Sequence, residues 1–149
     1  MSYLIDTNVL SELRRQMPDS HVINWFTARP TSALYLSVLT LGELRKGIEN
    51  LGHSTPHNPT VSTRKLVLTD WLETELSQFF HGRILSVDAA VADRWGQLVA
   101  TANRPLPAID SLLAATAIHH HLTLVTRNVK DFSDMGVDVL KVISPWEAT

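Results

Sequence analysis

Hydrophobic positions recur along the chain in two alternating rhythms. Apolar-rich runs at Tyr3-Leu4-Ile5, Ala33-Leu34-Tyr35-Leu36-Ser37-Val38, Arg83-Ile84-Leu85-Ser86-Val87 and Leu122-Thr123-Leu124-Val125-Thr126 have the character of short strands, the first of them buried on both faces. A last strand is predicted within 137–143, ahead of a closing aromatic, Trp146. Between the runs, apolar residues return every three or four positions: Val9, Leu10 and Leu13; Val22, Ile23, Trp25 and Phe26; Leu44, Ile48 and Leu51; Leu66, Leu68, Trp71, Leu72 and Leu76; Ala92, Trp95, Leu98 and Val99; and nearly every residue of 108–118. Strands alternating with helical stretches predict a parallel sheet covered by helices.

Punctuation between these stretches is ordinary. Asp19 or Ser20 reads as a helix cap after the break at Met17-Pro18, and Arg29-Pro30-Thr31 ends that helix. Thr40 with Glu43 three residues later has the form of a capping box. Gly52, Pro56 and Pro59 mark a loop over 52–62 that interrupts a helical clip spanning 41–80. Asp88 and Asp93 suit the first turn of a helix. His119-His120-His121 does not form a metal site, because consecutive helical side chains diverge by about 100°; partly cationic histidines suit a helix C-terminus.

Composition narrows the chemistry. At 149 residues the chain makes one domain, 1–149, and 44% hydrophobic with 19% charged residues describes an ordinary globular protein. The absence of cysteine excludes disulfides, thiolate metal sites and cysteine nucleophiles. No basic leader and no apolar run of membrane-spanning length is visible, so the expectation is a cytoplasmic protein without a membrane partner. The net charge of -2 conceals basic pairs at Arg14-Arg15, Arg45-Lys46 and Arg64-Lys65.

The acids carry the functional signal. Asp6 stands where the first strand ends, and Glu43, Asp110 and the Asn128/Asp131 pair stand near other strand ends or helix starts. Such junctions lie along one edge of a parallel sheet, where ligands bind. Carboxylates gathered there repel by a few kcal/mol per close pair, and the expected remedy is a cation. Oxygen-only ligands point to a hard ion, Mg²⁺ or Mn²⁺. Arg14, Arg15, Arg45, Lys46 and Arg127 would suit a polyanionic substrate.

Four motifs, Leu4-Ile5-Asp6-Thr7-Asn8-Val9-Leu10-Ser11-Glu12, Leu41-Gly42-Glu43-Leu44-Arg45-Lys46-Gly47-Ile48, Ile109-Asp110-Ser111-Leu112-Leu113-Ala114-Ala115-Thr116-Ala117 and Val125-Thr126-Arg127-Asn128-Val129-Lys130-Asp131-Phe132, resemble in order and spacing those of PIN domains. More narrowly, they look like the VapC/FitB-like toxins of toxin–antitoxin pairs. The resemblance implies a three-layer α/β/α sandwich with a central parallel sheet. It also implies an Mg²⁺- or Mn²⁺-dependent endoribonuclease leaving a 5′-phosphate and a 3′-hydroxyl. Asp6, Glu43 and Asp110 match the family's first three acids, with Asp6 and Asp110 as metal ligands. The fourth position falls on Asn128 or Asp131, and Thr7, Asn8, Arg127 and Asn128 fall where residues support the site or the substrate. The partners implied are RNA, a VapB/FitA-like antitoxin, operator DNA through that antitoxin, and a second copy in a homodimer or larger assembly. Leu44, Ile48, Leu51, Leu66 and Trp71 in the clip are the expected antitoxin surface. A haloacid-dehalogenase-type phosphatase also begins with a strand ending in Asp, but it needs a second Asp where Asn8 stands. A PIN-like module without catalysis and a housekeeping RNA-processing nuclease compete with the toxin.

Overall fold

The computed structural model describes residues 1–55 and 57–147; Pro56, within the expected loop, lies outside them. Five parallel strands form one sheet in the order β3-β2-β1-β4-β5: β1 Tyr3–Ile5, β2 Leu34–Ser37, β3 Ile84–Leu85, β4 Thr123–Val125 and β5 Val142–Ile143. From β1 the chain builds outward through β2 and β3, then returns to the other side of β1 for β4 and β5. The order therefore reverses between β1 and β4, and a crevice opens at the carboxyl ends of those two strands.

Alternation along the strands divides the core. Tyr3 and Ile5 of β1, with Leu34 and Leu36 of β2, face a cluster containing Val22, Trp25, Leu44, Leu72, Leu76 and Phe80. Leu4 and Leu124 point to the opposite side, against Leu98, Leu113, Ala114, Ala117 and Phe132. The first cluster is covered by α1 Thr7–Leu13, α2 Ser20–Thr27, α3 Val38–Glu49 and a helical rod made of α4 Pro59–Asp70, a widened π-helical stretch Trp71–Leu76 and α5 Ser77–Phe79. The second is covered by α6 Ala89–Thr101, α7 Ala108–His119 and the short α8 Val129–Ser133. Helices lie on both faces, giving three layers. Ala114 and Ala117, both fully buried, let α7 lie close to the sheet.

Two helix starts differ from expectation. α3 begins at Val38 because Ser37, at the end of β2, caps it by accepting the Leu39 amide at 3.0 Å. Thr40 is then buried inside the first turn, and Glu43 lies beyond the reach of any capping box. In α4 the Asn58-Pro59 pair starts a helix inside the stretch expected to be loop. The Asn58 carboxamide accepts the Thr60 and Val61 amides, and Pro59 occupies the first turn, where its missing N–H costs nothing. The cap at Asp19 is as expected, whereas Asp88, expected within the first turn of a helix, instead caps α6 by accepting the Val91 amide, and Asp93 falls beyond that first turn. α7 ends at His119, with His120 as its C-cap and His121 in the left-handed region. Among the described residues, no helix is long and apolar enough to cross a membrane.

Phe80 is fully buried at the meeting of the helical rod with β2. Replacing it by Ala is expected to cost about 3–5 kcal/mol, read as a lower urea midpoint.

Candidate active site

Asp6 ends β1 and begins α1, and its carboxylate is more heavily tied than a helix cap requires. One oxygen accepts the Thr7 amide at 2.7 Å. The other accepts the Thr126 hydroxyl at 2.8 Å and the Asn8 carboxamide at 3.3 Å. The Asp6 amide meanwhile donates to the Val125 carbonyl at 2.9 Å, fixing the backbone to β4. An ionised carboxylate offers about four acceptor positions; with three filled by the protein, one is left for a ligand. Asp6 is only 6% exposed, so that position opens only toward the crevice.

Asn8 completes the bridge between the two strand ends. Its Nδ2 also donates to Thr126 Oγ1 at 3.1 Å, and its Oδ1 accepts the Arg127 amide at 3.1 Å. Thr7 turns the other way and donates its hydroxyl to Glu43 Oε1 at 2.7 Å. Asp110 approaches from the first turn of α7 and is half-buried. Asp6, Glu43 and Asp110 thus share a cleft of about 610 Å³.

The fourth acid divides as the sequence left it. Asn128 lines this cleft. Asp131 lies one helical step further, in an adjoining hollow with Asp134 and Arg104, and Asp110 borders both. The cleft therefore holds three of the predicted acids and the neutral Asn128, while Asp131 acts on it through its charge next to Asp110.

Both cleft aspartates have pKa values raised above the ordinary range. For Asp6 burial is the largest cause; the hydrogen bonds from Thr126 and Thr7 oppose it, and the Glu43 and Asp110 charges add to it. For Asp110 burial again leads, followed by Glu43 and Asp131, with no hydrogen bond to relieve it. Burial, with like charges adding to it, thus disfavours the ionised form of both carboxyls. All the donors are oxygens, as a hard ion prefers. Among the described residues no group of three acids or histidines is arranged to hold an ion unaided. Mg²⁺ fits such a site, since it retains several waters and takes one or two carboxylates.

The basic pairs separate. Arg15, Arg64 and Arg127 stand around the cleft. Arg45, expected beside the substrate, instead pairs with Glu73 at 2.8 Å and Glu49 at 3.5 Å, because its position on α3 faces the helical rod. Arg14 lies over the Trp71 ring, 5.2 Å from its centroid. Lys46 lines a neighbouring hollow with Val38 and Ile109.

Two contributors lie outside the residues that the sequence singles out. Thr126 is fully buried and serves Asp6, Asn8 and the Asn128 amide together. A hydroxyl at the carboxyl end of a buried strand was the available signal. Glu12, 5% exposed, accepts the Asp19 amide at 3.0 Å and holds Arg15 at 3.3 Å. Its place three residues after Val9 put it on the inward face of α1.

These contacts have measurable consequences. Thr126→Val keeps the shape but removes one donor and two acceptor contacts, and is expected to cost about 1–3 kcal/mol in urea unfolding. A carboxyl whose pKa is raised binds its proton more tightly when folded; the stability it contributes is present at low pH and lost as pH rises through the raised value. Asp110→Asn is therefore expected to melt about 2 °C above wild type in metal-free neutral buffer. The gap should close as pH falls through the raised Asp110 pKa, where the wild-type carboxyl takes up its proton too. Scanning calorimetry across pH checks this, and comparing the two proteins cancels the opposing contributions of Asp19 and Asp88.

The geometry agrees with what the chain is similar to. The PIN domain profile matches residues 3–137. The VapC ribonuclease Y4jK of Sinorhizobium fredii is 32% identical over 147 residues, covering 97% of each chain. Toxin FitB of Neisseria gonorrhoeae is 36% identical over 146 residues, covering 96% of this chain and 97% of that one. The toxin-like fold is also seen in the solved structure of FitAB bound to an IR36 DNA fragment, which aligns over 99% of this chain and 97% of the other with a TM-score of 0.84 and 32% identity. A profile match running from β1 past α8, with full-length relatives sharing the fold, makes this chain a member of the PIN domain family.

Proposed function

We propose that the protein is a divalent-metal-dependent endoribonuclease and the toxin of a toxin–antitoxin pair. The observation that carries this reading is the buried Asp6 carboxylate at the switch point of the sheet, with one acceptor position left and Asp110 and Glu43 sharing its cleft. Relatives named as a ribonuclease and as a toxin support the activity and the biological role.

Asp6 and Asp110 are the residues that would hold Mg²⁺ or Mn²⁺, Asp6 rigidly and Asp110 with more freedom. When bound, the ion supplies activation of water and neutralisation of charge growing on the phosphoryl group. Thr7 aims the Glu43 carboxylate into the cleft, where it can accept a proton from an attacking water. Arg15, Arg64 and Arg127 meet the flanking phosphates, and Asn128 offers a neutral polar contact. Asp131, outside the cleft, strengthens the negative field at Asp110 without touching the reacting atoms.

A small antitoxin is the proposed inhibitor, and it would bring the pair to operator DNA, in keeping with FitAB on its DNA fragment. The surface for it is a groove between α1, α3 and α4 that runs into the cleft. Leu44, Ile48, Leu51 and Trp71, all expected there, line it with Leu68, although Leu44, Ile48 and Trp71 are largely buried in the core. Leu66, 72% exposed, does not line it. Pairing with a second copy would cover Val38 and Ile109, both exposed beside Glu43.

Antitoxin-free protein is expected to fragment total RNA with Mg²⁺ or Mn²⁺, and both EDTA and Asp110→Asn should abolish cleavage. Gel analysis reads the fragments and end-labelling reads the 5′-phosphate. Cleavage that persists in folded Asp110→Asn would remove Asp110 from the site, and none from wild type would favour a non-catalytic module.

A further inference from the structure

Arg127 stands next to the acids, yet it takes no part in the ion pairs of the described residues, which engage Arg15, His21, Arg45 and Lys65. Its guanidinium lies instead over the indole of Trp146, 5.0 Å from the ring centroid. Both partners are held from behind. The Arg127 amide donates to Asn8 Oδ1 at 3.1 Å, so its backbone belongs to the network that fixes Asp6. Trp146 follows β5, whose Ile143 carbonyl accepts the Thr126 amide at 3.0 Å, and the Trp146 amide donates to Ser144 Oγ at 3.3 Å. The tail thus hooks over the sheet end and brings a half-buried indole to the cleft wall.

Trp146 also packs against the first core cluster, and arginines stack on buried aromatics elsewhere in the molecule, Arg14 on Trp71 and Arg29 on Trp25; what sets Arg127 and Trp146 apart is that both line the cleft beside Asp6 and Asp110. Together they place a guanidinium over an indole beside the carboxylates, and such a pair offers a surface on which another flat group can stack. We infer that the Trp146–Arg127 pair is a nucleobase platform, seating an unstacked base of single-stranded RNA next to the phosphate presented to Asp6 and Asp110. This rests on the ribonuclease reading and deepens it. A base held within a duplex cannot reach the platform, so the pair selects single-stranded substrate, and it does so with little regard to base identity because every base has a π-face.

The test uses full-length protein carrying Asp110→Asn, which binds without cutting, and two polyanions of similar charge: fluorescein-labelled oligouridylate, and inorganic polyphosphate, which has no bases. Trp146→Ala is expected to weaken oligouridylate binding roughly ten- to a hundredfold in fluorescence anisotropy. Trp146→Phe should recover most of that loss. Arg127→Lys, which keeps the charge but loses the plane, should weaken it severalfold. Polyphosphate, measured by competition, should bind all variants alike. Equal oligouridylate affinity across the set, or equal losses for both polyanions, would overturn the platform, as would losses confined to protein partners. Failure of the ribonuclease reading looks different: the parent protein would bind no RNA and wild type would cut none.

Discussion

A carboxylate held in a buried crevice by three donors is the constraint on which the rest of this molecule depends. Asp6 cannot take water's place by itself, since desolvation pushes it toward its protonated form. The Thr7 amide, the Thr126 hydroxyl and the Asn8 carboxamide hold it ionisable and aimed. These donors come from the two strand ends that flank the reversal of strand order, so folding of the sheet and assembly of the site are one event. Short strands suffice because their work is positional: β1 and β4 need only deliver their carboxyl ends side by side, in the register Ile5 to Val125.

The fold was legible wherever a local pattern and the tertiary demand agreed. Tyr3-Leu4-Ile5 could only be a strand covered on both faces, and Ala114, Ala115 and Ala117 announced a helix pressed on a sheet. The pattern is ambiguous where two residues compete for one role. Ser37 and Thr40 are both good caps, and which one serves depends on where β2 lets go of its neighbours, a distance set by the sheet. Asn58-Pro59 is turn punctuation and also a helix start, and only the downstream anchorage at Trp71, Leu72 and Leu76 decides between them.

The acids were legible for a different reason. Asp6, Glu43 and Asp110 sit at junctions that a parallel sheet gathers along one edge, so their meeting followed from the alternation of strands and helices. Thr126 and Glu12 could not be read with the same assurance, because a hydroxyl or a carboxylate on an inward position declares burial without declaring its partner. The rim was harder still. Arg15 and Arg45 look alike as members of basic pairs, yet one leans on Glu12 at the cleft and the other is drawn away by Glu73 and Glu49. Side-chain direction on a helix surface turns on a fraction of a helical turn, and the sequence does not resolve that fraction.

The helical rod is anchored unevenly. None of α4 is buried, while the widened turn that follows it sinks Trp71, Leu72 and Leu76 into the core. α4 is thereby cantilevered from one end, steadied along its length by little more than Leu68 and the Lys65–Glu49 pair at 3.6 Å. Segments with few buried apolar contacts open first and at small free-energy cost. Arg64 rides on this helix, whereas Asp6 and Asp110 are set in the frame of the sheet and α7. One side of the cleft is consequently compliant and the other stiff, and the opening can widen to admit a chain of varying girth without disturbing the spacing of the acids beneath it.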